Sequence, residues 1–148
     1  METSNRIIAV VPVTATKLIV WFDGGVARKC DILSFGVDEA EIDDFQISFG
    51  GELVTWPSGV RLLAEDLYEC GQTIDIIQDE KQRILRELSL IRKEAAFSQT
   101  RLGDAAGIRQ SVISRIEGCE ISPQINTLLK LLAPLGKTLA IVDLIGEE

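Results

Sequence analysis

Four side chains between Gly107 and Gly118 are of the kinds that recognise a surface by hydrogen bonds: Gln110, Ser111, Ser114 and Arg115, interleaved with Val112, Ile113 and Ile116. A glutamine can pair both hydrogen-bonding positions of adenine, and an arginine can grip O6 and N7 of guanine. A serine can serve either a base or a phosphate. Wound into a helix at about 100° per residue with Gln110 at zero, Ser114 falls near 40°, Ser111 near 100° and Arg115 near 140°. Val112, Ile116 and Ile113 fall near 200°, 240° and 300° on the same count. Polar and apolar arcs separate, so this helix has one side for a core and one for the edges of bases in a DNA major groove.

The same inventory argues against covalent chemistry. The chain has no histidine and three cysteines (Cys30, Cys70, Cys119) that never form a CxxC pair. The commonest general base near neutral pH is therefore missing, as is every Ser-His or Cys-His nucleophile pair. A structural zinc site would lack its usual fourth ligand, and the thiols read as free or buried in a reducing cytosol. Asp43 and Asp44 are adjacent carboxylates in a polar segment, which reads as a solvated face. No catalytic residue, metal or cofactor is expected.

Charge raises an objection to DNA, because the formal net charge is -8 over 148 residues. Its distribution weakens that objection. Residues 1–77 hold five basic side chains (Arg6, Lys17, Arg28, Lys29, Arg61) against thirteen acidic ones, whereas residues 78–148 hold ten of each. All of the excess acid belongs to the first half, and screening limits its range to about 8 Å at physiological salt. No apolar run approaches the roughly 20 residues that span a bilayer, and the start METSNR has no basic n-region, so a soluble cytoplasmic protein is expected.

The elements that would hold the polar arc come from the second half. Ile77, Ile84, Leu88, Ile91 and Ala95 form the stripe of an amphipathic helix. Ser98 can cap a second helix that Gly107 ends. A third runs from about Gln110 to Glu117 with Gly118 behind it. Ser122-Pro123 reads as the cap and first position of a fourth, which carries Leu128, Leu129 and Leu132 and stops before Pro134. KTLAIVDL, residues 137–144, reads as a closing strand.

The first half reads as strands. RIIAVVPV and KLIVWF are rich in β-branched and aromatic residues, with Thr14-Ala15-Thr16 as the turn between them. Asp23-Gly24-Gly25 signals a hairpin into VARKCDI, and Gly50-Gly51 signals another between QISF and ELVTW. DEAEIDD reads as a short helix or a loop. Pro57 and Gly59 break the strand, Trp56 reads as a buried anchor at its end, and LAEDLYEC offers a short helix ended by Gly71. The predicted class is α+β, with a small strand-rich domain over residues 1–75 and an all-α helix-turn-helix domain with a C-terminal strand over residues 76–148.

Two resemblances sharpen this reading. SQTRLGDAAGIRQSVISRIEG, residues 98–118, resembles the phage-repressor-like (Xre/Cro/C1-type) helix-turn-helix family, over roughly residues 80–145. The resemblance implies a phosphate contact from Gln99 and recognition contacts from Arg109, Gln110, Ser111, Ser114 and Arg115, with Glu117 structural. Arg101 and Lys130 are further candidates for phosphate. Three positions depart from the family pattern. Gly103 replaces the usual alanine, at about 1 kcal/mol of helix propensity. Arg109 stands where a Ser or Thr cap is common, and Glu120 puts acid where relatives often carry base. The first half resembles a small bacterial family of unknown function through Asp23-Gly24, Trp56-Pro57-Ser58-Gly59 and Leu67-Tyr68-Glu69, over roughly residues 5–70. That family occurs alone or joined to a helix-turn-helix domain, and it implies no activity.

The leading expectation is a sequence-specific, DNA-binding transcriptional regulator, or an antitoxin-like repressor, acting as a homodimer on double-stranded DNA. The closing segment resembles a strand that pairs between subunits in antitoxin-type members of the family, and pairing within one chain is the alternative. A competing expectation is a protein-interaction module whose acidic N-terminal domain holds a protein partner while the helix-turn-helix leaves DNA alone. A third is a small-molecule sensor with the strand half as its ligand domain.

Overall fold

The computed structural model describes residues 5–144, which form two compact units, one of residues up to Asp75 and one of Ile76–Val142. In the first, β1 (Ile7–Pro12), β2 (Lys17–Phe22) and β3 (Ala27–Asp31) make an antiparallel meander. The Thr14 hydroxyl accepts from the Thr16 and Lys17 amides and so closes the first turn. Gly24 and Gly25 take φ of 89° and 83° in the second, a backbone that favours glycine. A second antiparallel sheet joins β4 (Gln46–Ser48), β5 (Leu53–Thr55) and β6 (Arg61–Leu63). Helix α1 (Ala64–Cys70) follows directly, and β7 (Gln72–Thr73) then pairs with β3. DEAEIDD contributes one 3-10 turn, Glu39–Glu41, capped by Asp38.

One core serves both sheets and α1, through Leu18, Val20, Phe22, Val54, Trp56 and Leu67. Trp56 is the buried anchor that the sequence suggests, its indole N–H donating to the Ile42 carbonyl at 3.3 Å. Tyr68 meets Phe22 edge-on with ring centroids 5.1 Å apart, and the Arg28 guanidinium lies over the Tyr68 ring. Cys30 is buried and donates to the Leu67 carbonyl. Burial, with Cys70 close by, pushes its thiol up to about 12, which makes it inert at neutral pH.

The second unit is helical: α2 (Ile76–Glu94), α3 (Gln99–Ala106), α4 (Gln110–Glu117) and α5 (Ile125–Leu132), closed by a 3-10 turn at Ala133–Leu135. Its core is Leu85, Leu88, Leu102, Ile113, Ile116, Leu131 and Leu132. No helix of the described residues is long and apolar enough to cross a membrane.

Three expectations for this unit need correction. The buried side of α2 is Leu85, Leu88 and Arg92, turned from the predicted stripe, so that Ile77 and Ala95 are exposed. The fourth helix starts at Ile125 with Gln124 at its N-cap and no side-chain cap bond, and the Ser122 hydroxyl accepts from Lys81 Nζ at 2.9 Å. Residues 137–144 join no ladder in the single chain. A β-branched run becomes a strand only beside another strand, and the helical unit provides none.

Candidate nucleic-acid interface

The helix pair is set by caps and one close approach. Ser98 Oγ accepts from the Arg101 amide at 3.0 Å and starts α3. Gly107, at φ 71°, ends it in the left-handed conformation, its amide bonded to the Gly103 carbonyl. The Ile108 amide also reaches that carbonyl at 3.0 Å. A Cβ on Gly103 would stand 2.4 Å from the Ile108 carbonyl oxygen, so the tightness of this turn explains the glycine. Helix α4 then starts at once. Arg109 occupies its N-cap without a side-chain cap bond, as the sequence suggests, while its carbonyl accepts from Val112 and Ile113.

The two arcs of α4 separate in three dimensions. Ile113 and Ile116 are buried and Val112 is half-buried, whereas Gln110, Ser111, Ser114 and Arg115 are all exposed. Arg109 and Arg101 are exposed beside them, the Arg101 guanidinium resting over the Phe97 ring at 4.1 Å. Lys130 is exposed on α5. The helix ends in a Schellman arrangement, with the Glu120 amide on the Arg115 carbonyl and the Cys119 amide on that of Ile116. Cys119, at φ 58°, holds the left-handed position, rather than Gly118.

Behind the arc lies a polar lock. Gln110 Nε2 donates to Gln99 Oε1 at 2.8 Å, and Gln99 Nε2 donates to Glu117 Oε2 at 2.7 Å. Arg92 completes the chain with a two-pronged contact to Glu117, 2.5 and 3.1 Å, and a third donation to the Phe97 carbonyl. Less than a tenth of either charged side chain is exposed. Burial alone raises the Glu117 pKa. Hydrogen bonds from Arg92 and Gln99, with the charges of Arg92 and Lys93, outweigh it and hold the carboxyl below its usual value. The lock ties α2, α3 and α4 together and restrains the Gln110 amide. Sequence reasoning misses Arg92, although Leu85, Leu88 and Arg92 succeed one another at spacings of 3 and 4 on the buried side of α2.

Residues 88–142 match the helix-turn-helix family. The match lies within the helical half of the chain. Its relatives include an "Uncharacterized HTH-type transcriptional regulator" of Haemophilus influenzae, 49% identical over 61 residues, which are 41% of this chain and 62% of that protein. The "HTH-type transcriptional regulator PuuR" of Escherichia coli is 42% identical over 55 residues, 37% of this chain and 30% of that one. The chain thus spans less than two thirds of either relative. A solved structure titled "Toxin-Antitoxin module from Streptococcus pneumoniae" matches with 45% identity and a TM-score of 0.40, covering 47% of this chain and 76% of that chain. The helix-turn-helix match contains α3, α4 and the whole of the polar lock.

Proposed function

We propose that this protein is a sequence-specific, DNA-binding transcriptional regulator, an antitoxin-like repressor that works in the cytoplasm as a homodimer and performs no catalytic step. The observation that carries the reading is the exposed polar arc of α4, backed by the Gln99–Gln110 bond. Donating one Nε2 hydrogen to Gln99 leaves Gln110 with its Oε1 and a second N–H. Those are the acceptor and donor that the edge of adenine requires. Ser111, Ser114 and Arg115 read neighbouring bases in the major groove, while Gln99, Arg101 and Arg109 hold phosphates. Two copies set their α4 helices about 34 Å apart, in successive major grooves. Residues 76–148 serve as the DNA-binding domain.

The charge division favours a second task for residues 1–75. A unit that concentrates the chain's whole excess of acid suits a basic protein partner more than a nucleic acid. In an antitoxin-like protein this domain holds the partner while α4 holds the operator.

Titrating duplex DNA into isotope-labelled full-length protein separates the two tasks. Amide shifts should concentrate at residues 98–101 and 109–116. Shifts confined to residues 5–75, or none at any salt concentration, would defeat the DNA reading and leave the interaction module.

A further inference from the structure

The first sheet of the strand-rich unit is notched along its β3 edge. Strand β7 pairs only with Arg28 and Lys29, so among the described residues Cys30 and Asp31 have no strand on that side. A hollow of about 410 Å³ adjoins this stretch, and Lys17, Lys29, Asp31, Ser34, Phe35 and Gln72 line it. That volume suits a small molecule.

The charge of the hollow reverses that of the unit around it. Residues 1–77 hold five basic side chains against thirteen acidic ones, yet two of the five meet here beside a single carboxylate. Strand alternation sends Leu18 and Cys30 into the core and leaves Lys17 and Lys29 on the opposite face. Both lysines are half-buried, and among the described residues neither ammonium is hydrogen-bonded or ion-paired. Asp31 is engaged by its own chain, its Oδ1 accepting from the Leu33 amide at 3.1 Å.

The remaining donors extend the pattern. The Gln72 side-chain amide has no partner among the described residues, and the Ser34 hydroxyl makes one long bond, 3.4 Å, to the Asp31 carbonyl. Two ammonium groups, an amide and a hydroxyl close well on a group of negative oxygens. A cation would meet two like charges, and a neutral molecule would leave both ammonium groups uncompensated. Phe35, half-buried at the rim, offers a ring for the carbon body of a ligand.

We propose that this hollow binds a small organic dianion, a phosphate monoester or a dicarboxylate. Lys17 and Lys29 neutralise its two charges, Gln72 and Ser34 donate to its oxygens, and its carbon body packs on Phe35. The site lies wholly within residues 1–75 and does not depend on what α4 reads.

Titration of isotope-labelled full-length protein with phenyl phosphate, and separately with succinate, tests the site. The titrations run at about pH 7.5, where a phosphate monoester is doubly charged, with sodium chloride holding the ionic strength constant. Saturable amide shifts centred on residues 17, 29–35 and 70–72 are expected. Lys17→Gln and Lys29→Gln should each raise the Kd at least about tenfold, the weight of one charge-assisted hydrogen bond. Arg61→Gln, at an exposed basic position outside the hollow, should leave it unchanged. Unaltered shifts elsewhere in the unit show that each variant folds. Saturation by phenyl phosphate alone supports a phosphate ester, by succinate alone a dicarboxylate, and by both the shared dianion chemistry. No saturation by either probe, or equal binding by both lysine variants, would overturn the proposal.

Discussion

Arg115 is exposed on the α4 arc, and under the proposed function its guanidinium grips a guanine edge through two parallel hydrogen bonds. Arg115→Ala should therefore weaken binding to the preferred site by about 1–3 kcal/mol and relax the preference at one base pair. A uniform loss over all sequences would make it a phosphate contact, and no loss would remove it from the interface; competition binding with single-base variants of the site distinguishes these. Glu117 acts inside the unit. Its folded pKa lies below its unfolded value, so its contribution is complete above the ordinary carboxylate range and disappears as pH falls through the folded pKa. The thermal transition of the helical unit should fall in acid below about pH 4.5. Glu117→Gln should lower stability at neutral pH and flatten part of that acid limb. Scanning calorimetry from pH 3 to pH 7 would show the same slope in both proteins if the carboxylate were idle.

The helix-turn-helix turn is where element geometry and residue choice meet. Gly103 is a poor helix former, yet a methyl group there collides with the Ile108 backbone. The gain of about 1 kcal/mol in propensity is set against an overpacking cost of about 1–3 kcal/mol. Gly103→Ala should therefore leave stability lower, by about 1 kcal/mol in denaturant unfolding. A more stable variant would mean that the turn opens at no cost. Caps of this local kind are readable from sequence, and Ser98, Gly107 and the start of α4 at Gln110 fall where their residue types put them. The inward face of α2 is not. Ile84 and Leu85 are both hydrophobes about 100° apart on the helix, and long-range packing against Leu102, Ile113 and Leu131, with the Arg92–Glu117 pair between residues 25 apart, buries Leu85 and leaves Ile84 half-buried. The partner of Ser122 is also out of reach of a local reading, since its hydroxyl accepts from a lysine 41 residues away. Strands β6 and β7 are three and two residues long, too short to leave a periodicity of their own.

At the scale of the molecule, the change from strands to helices near Asp75 coincides with the change from acidic to balanced charge. A chain that is acidic overall can therefore carry a unit whose binding face is free of net repulsion. The central claim is that α4 reads sequence. Selection of bound duplexes from a random pool by the full-length protein, followed by affinity for the winner across salt concentrations, tests it most directly. The account predicts a site of two related half-sites about one helical turn apart, with affinity falling steeply as salt rises. No enrichment, with equal weak binding to every duplex, would contradict it.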